Sequence, residues 1–60
     1  MTLRILFKDR TLKTYKGICR CTNISTNHEV DYLYFETYND IPGKGESVEF
    51  DKILCFEVVV

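Results

Sequence analysis

Sixty residues with a formal charge of −1 leave room for one small domain, because a chain this short buries only about 60% of the surface it exposes when unfolded. Stability then has to be supplemented by a disulfide, a metal or self-association. The near-neutral total argues against a general nucleic-acid binder, and the apolar runs Ile53–Phe56 and Val58–Val60, split by Glu57, fall far short of the roughly 18 residues of a membrane-crossing helix.

The chain begins TLRILFK, where Leu3, Ile5 and Phe7 alternate with Arg4, Leu6 and Lys8. A period of two predicts a strand over 2–8 with one apolar face. Asp9-Arg10 reads as a two-residue hairpin turn, with arginine where glycine is the commoner choice because it tolerates positive φ. A second strand is expected over 11–21, bent by a bulge at Gly17. Cys19 and Cys21 would share one face of it, as residues that line a core do. Three cysteines, an odd number, in a chain with no visible secretion signal predict reduced, buried thiols and a cytoplasmic setting. Cys19, Cys21, His28 and Cys55 could in principle make a zinc set, but the Cys-Arg-Cys spacing on a strand does not fit a metal knuckle. No metal and no cofactor is expected, and His28 is read as a solvated loop residue. Asn23-Ile24-Ser25 is a glycosylation sequon by letter only, given that setting.

Residues 22–29 are rich in Asn, Ser and Thr and read as a loop. VDYLYFETY then predicts a strand over 30–38, with Leu33 and Phe35 on one face and Tyr32, Tyr34 and Glu36 on the other. Next comes IPGKGES, residues 41–47. A phosphate-binding P-loop needs GxxxxGK[ST] between a strand and a helix. Here the glycines are too close, the lysine precedes the second of them and a strand follows, so the segment is read as a turn between strands. Strands over 46–50 and 53–60 complete the chain, and no segment keeps helical spacing. The expected fold is all-β: a single domain over 1–60, a five-stranded antiparallel meander closing toward a small Sm-like or OB-like barrel. Its core should hold Leu3, Ile5, Phe7, Ile18, Leu33, Phe35, Val48, Phe50, Leu54 and Phe56. A bulge near Asp51 would exchange the last two for Ile53 and Cys55.

The stretch IPGKGESVEFDKILCFEVVV resembles a phrase of small phage and mobile-element proteins: Ile/Leu-Pro, two residues, Gly-Glu, one residue, Val, then a turn and a valine-rich strand. LRILFKDRTLKTY is similar to the first hairpin of such proteins, which more often carry Asp-Gly where this chain has Asp9-Arg10. The resemblance implies a small β-meander or partly open barrel in a phage or prophage setting, which places the protein in the host cell cytoplasm. It transfers no catalytic residue. At a general level the chain also resembles small, acidic inhibitors of bacterial defence, anti-CRISPR proteins among them.

Catalysis finds no footing in the residues themselves, since the only histidine lies in a loop and no nucleophile–base pair is evident; the protein is read as a non-enzyme. The charge is unevenly distributed. Residues 1–20 carry six basic side chains against Asp9, a net +5, while residues 21–60 carry eight acidic side chains against Lys44 and Lys52, a net −6. One explanation is purely structural: basic residues of the first hairpin face acidic ones on neighbouring strands. Three functional readings stand beside it. In the first, Tyr32, Tyr34, Glu36, Tyr38 and Asp40 form an acidic, tyrosine-rich surface that binds a protein partner, in the sharpest form a host defence nuclease with a basic groove. In the second, Arg4, Lys8, Arg10, Lys13 and Lys16 bind nucleic-acid phosphates while tyrosines stack on bases. In the third, Val58, Val59 and Val60 pair strand edges between copies, which predicts a homodimer.

Overall fold

The computed structural model describes residues 1–25 and 30–60 and is all-β. Six strands follow in chain order: β1 Thr2–Phe7, β2 Leu12–Tyr15, β3 Ile18–Ser25, β4 Asp31–Thr37, β5 Glu46–Glu49 and β6 Ile53–Val59, with a 3-10 turn at Phe50–Lys52 before the last. They form two three-stranded antiparallel sheets, ordered β2-β1-β6 and β3-β4-β5. Among the described residues no helix is long and apolar enough to cross a membrane.

The expected strand over 11–21 is in fact two. Gly17 has φ +70, a left-handed conformation that glycine reaches without steric cost. The chain therefore leaves the first ladder after Tyr15 and enters the second at Ile18. Two backbone hydrogen bonds hold this corner, from Ile18 N–H to the Met1 carbonyl at 2.8 Å and from Tyr38 N–H to the Gly17 carbonyl at 3.1 Å. The barrel does not close: β5 and β6 are both sheet edges, joined by the 3-10 turn and not by a ladder.

The first turn also differs from expectation. Arg10 N–H bonds the Phe7 carbonyl at 3.0 Å and Phe7 N–H bonds the Thr11 carbonyl at 2.8 Å, so Lys8, Asp9 and Arg10 form a three-residue loop. Arg10 takes its left-handed position, φ 76. Asp9 accepts from Thr11 N–H at 2.9 Å, and this backbone hydrogen bond lowers the pKa of its carboxyl. The predicted loop over 22–29 is shorter at its start, because Thr22, Asn23, Ile24 and Ser25 pair with Tyr34, Leu33, Tyr32 and Asp31. The expectations for Thr26–Glu29, His28 among them, lie outside the described residues.

Leu3, Ile5, Ile18, Leu33, Phe35 and Ile53 are buried, with Phe7, Tyr15, Cys21, Val48 and Phe50 packed partly against them. The Tyr15 and Phe35 rings meet across the sheets at 4.6 Å between centroids. Leu54 and Phe56, expected in the core, are exposed. The register explains Leu54: Leu6 faces Cys55 and Phe7 faces Ile53, so Leu54 is the extra residue of a bulge and Ile53 returns to the core side. Phe56 lies opposite Ile5 and Val58 opposite Leu3, on the inward face, but the second sheet does not reach over this edge.

The cysteines are corrected as well. A register break between Ile18 and Arg20 puts Cys19 in a bulge and turns it outward, so it does not share a face with Cys21. Cys19 and Cys55 are exposed free thiols, and Cys21 is half-buried. Burial pushes the Cys21 thiol up in pKa.

Candidate protein-binding surfaces

The segment that joins β4 to β5 is built from two turns. In the first, Asp40 accepts from Thr37 N–H at 2.8 Å and from the Thr37 hydroxyl at 3.2 Å, while Asp40 N–H returns to the Thr37 carbonyl at 3.1 Å. In the second, Lys44 N–H bonds the Ile41 carbonyl at 2.8 Å, with Pro42 and Gly43, φ +84, at the two central positions of a type II turn. The IPGKG stretch is a turn, as its spacing predicts.

This turn folds back over the outer face of β4 and is fastened there. The Tyr34 hydroxyl donates to Glu36 Oε2 at 2.6 Å and accepts from Gly45 N–H at 3.0 Å, while Gly43 N–H donates to the same Glu36 oxygen at 3.2 Å. Glu36 is only 6% exposed, and Arg20 Nη1 stands 3.9 Å from it. A buried carboxylate persists only when hydrogen bonds replace its water; here a phenol and a backbone amide do so. The hydrogen bond to Glu36 raises the pKa of Tyr34. Gly45 completes the contact, because a Cβ there would run into the Phe35 carbonyl oxygen.

The five residues expected to form one acidic, tyrosine-rich surface are therefore divided by role. Glu36 is buried beneath the turn and presents no charge to a partner, which corrects the expectation of an exposed carboxylate. Tyr34, half-buried, and Asp40, exposed, hold the segment by hydrogen bonds. Tyr32 is half-buried on the outer face of the second sheet, between Ile24 and Glu49. Tyr38 is 77% exposed, and beside it Ile41 is 71% exposed. Ile41 has no place in the expected surface, because a residue before proline in a turn is assigned by backbone geometry alone. Its signal in the sequence is an aliphatic side chain within a polar loop.

The basic residues of the first hairpin are dispersed. Arg4 lies on the outer face of the first sheet and meets its cross-strand partner Glu57 at 3.2 Å. Lys8 and Arg10 sit in the turn, Lys13 lies over the Phe7 ring at 5.6 Å, and Lys16 precedes the corner glycine. Arg20 is opposite Glu36 on the second sheet. Arg4 and Arg20 thus follow the purely structural explanation of the charge asymmetry, each facing a carboxylate on the adjacent strand.

Along β6, Leu54, Phe56, Val58 and Val59 are exposed, as is Val60 beyond it. Phe56 and Val58 face an inter-sheet cleft of about 350 Å³, which Met1, Cys21, Leu33 and Phe50 also line. A second hollow, of about 370 Å³, lies on the outside of the first sheet between Leu6, Leu12 and Cys55. Among the described residues no group of three or more His, Cys, Asp or Glu side chains could hold a metal ion. Comparison with known proteins returns no family model, no curated protein and no solved structure that matches this chain.

Proposed function

We propose that the protein is a non-enzymatic binding module that recognises another protein through its β4–β5 turn. The observation that carries this reading is the clasp itself. A buried carboxylate fastens the second turn, whose Ile41 is 71% exposed, and Asp40 closes the first, whose Tyr38 is 77% exposed. An aromatic and an aliphatic side chain on a backbone already fixed by hydrogen bonds lose little conformational freedom on binding, which is the physical basis of a good interface anchor. Tyr34, Glu36 and Asp40 serve as supports, and Tyr38 with Ile41 makes the contact.

Beyond the anchors the second sheet is acidic along its length, with Glu46 near the turn and Asp31, Glu49 and Asp51 toward the opposite end of β4 and β5. A partner with a basic groove is the matching chemistry. In its sharpest form the reading is inhibition of a host nuclease that acts on nucleic acid, in keeping with the phage-type resemblance of the sequence.

A photo-crosslinking side chain at position 38 tests the reading in host lysate, with the same group at position 14, on the far sheet, as control. One defined adduct from position 38, lost in Ile41→Ala, is the expected result. Equal labelling from both positions would remove the turn as recognition element. Titration with single-stranded and duplex oligonucleotides, at low and moderate salt, separates nucleic-acid binding: tight association that weakens steeply with salt would replace the protein-binding reading.

A further inference from the structure

We propose that the outer face of the first sheet, at the end that carries the β1–β2 turn, is a contact surface for a membrane rich in anionic phospholipid. It lies on the opposite layer from the binding turn and stands independently of it. The strands sort the charges by sheet. The segments that build the first sheet, 1–16 and 53–60, carry five basic side chains against Asp9 and Glu57, a net +3. The described segments of the second, 17–25 and 30–49, carry Arg20 and Lys44 against five carboxylates, a net −3. Pairing then gathers cations at one end. Lys8 N–H bonds the Lys52 carbonyl at 2.9 Å, which brings Lys52, from the acidic part of the chain, beside Lys8 and Arg10 of the first turn. With Lys13 on the adjoining strand, four exposed cations stand here against Asp9 and Asp51. The Asp9 carboxylate is engaged in its own loop, where it accepts from Thr11 N–H at 2.9 Å.

The same end of the sheet is apolar on its outer face. Residues directly opposite in an antiparallel pair lie on one face. Leu6 faces Leu12 on β2 and Cys55 on β6, so the three form a row across all three strands and line the outer hollow of about 370 Å³. Leu12 is 63% exposed, and the bulge in β6 leaves Leu54, 54% exposed, next to Cys55. In the next row Glu57 is paired with Arg4 at 3.2 Å and brings no unpaired charge to the lipid. Aliphatic side chains rimmed by lysine and arginine suit a membrane surface, because the apolar groups enter the headgroup boundary while the cations meet lipid phosphates. Charge complementarity selects an anionic surface. The aliphatic row selects lipid over nucleic acid, since it offers no aromatic ring on which a base could stack. With this face on the membrane, the acidic sheet and the β4–β5 turn are directed away from it.

The test is co-sedimentation with phosphatidylcholine vesicles, with and without about one third phosphatidylserine, at low and moderate salt. Binding to the serine-containing vesicles is expected to be at least about tenfold tighter than to the neutral ones and to weaken as salt rises. Lys8→Gln and Leu12→Ser, both at exposed positions, should each weaken it about fivefold with an unchanged far-UV spectrum. Lys44→Gln removes the same charge from the second sheet and should leave binding within about twofold. The face is read separately on the wild type: bound protein should have Cys55 protected from a water-soluble maleimide, while Cys19, exposed on the second sheet, stays reactive. Absence of binding to either vesicle, equal binding to both, or equal protection of the two thiols overturns the proposal. So does tight binding of a duplex oligonucleotide that Lys8→Gln weakens and Leu12→Ser does not, which would assign the surface to nucleic acid.

Discussion

Glu36 shows how one side chain can fix a loop that its own strand does not contain. Its Oε2 collects the Tyr34 hydroxyl and the Gly43 amide, and removing it leaves both donors without their acceptor. Glu36→Ala should therefore cost about 1–3 kcal/mol, the range for an unsatisfied buried donor, and speed amide exchange across residues 41–45. Glu36→Gln keeps an acceptor oxygen and should lose clearly less; equal losses in the two variants would show that the hydrogen bonds are not what fastens the turn. The Tyr34 phenol carries a pH signature of the same contact. Its pKa is raised above 10.0 by the hydrogen bond to Glu36. The protonated phenol is thus favoured in the folded state, so this contribution is fully present below the unfolded value and is lost as pH rises through the folded one. The difference in phenolate absorbance between the wild type and Tyr34→Phe should have its midpoint above pH 10. A midpoint at or below the ordinary value would mean that the phenol does not donate to Glu36 in solution. Gly45→Ala belongs with these, because its methyl group meets the Phe35 carbonyl oxygen. A loss of about 1–3 kcal/mol is expected by thermal unfolding, as for other forced insertions into packed structure.

At the scale of elements, two short interruptions decide which residues are inside. The bulge at Leu54 buries Ile53 and exposes its neighbour, although both are β-strand residues in one apolar run. Ile53→Ala should accordingly cost about 2–5 kcal/mol, while Leu54→Ala should stay within about 0.5 kcal/mol as a surface change. Denaturant midpoints for the pair check this, and comparable losses would contradict the bulged register. The bend at Gly17 acts on a larger unit: it assigns the two halves of one extended segment to different sheets and thereby creates the corner on which Ile18 is buried.

For the whole molecule, two of the six basic residues in the N-terminal third, Arg4 and Arg20, face carboxylates on neighbouring strands. Arg4 of the basic half meets Glu57 of the acidic half across the β1–β6 ladder at 3.2 Å, with both side chains more than half exposed. Water and salt screen such a pair. Arg4→Ala and Glu57→Ala should each change stability by no more than about 1 kcal/mol, with the difference shrinking in high salt; a larger, salt-insensitive effect would give the pair a structural importance that its exposure denies it. The sheets meet over a small core and part on the β6 side, where Phe56 and Val58 face a cleft.

Alternation of side chains in Leu3-Ile5-Phe7 and Leu33-Phe35, together with the turn residues between such runs, was enough to determine the all-β class, most of the strands, the inward faces of β1 and β4, and the turn nature of IPGKG. These are local properties, set by period and backbone preference. Tertiary structure alone decided the division of the chain at Gly17, the outward turn of Cys19, the exchange of Leu54 for Ile53 and the burial of Glu36. Each of these depends on pairing with a strand distant in sequence. A one-residue bulge costs little locally yet reverses which face a side chain takes, and a carboxylate reads as solvated until the backbone amides that replace its water have been brought to it.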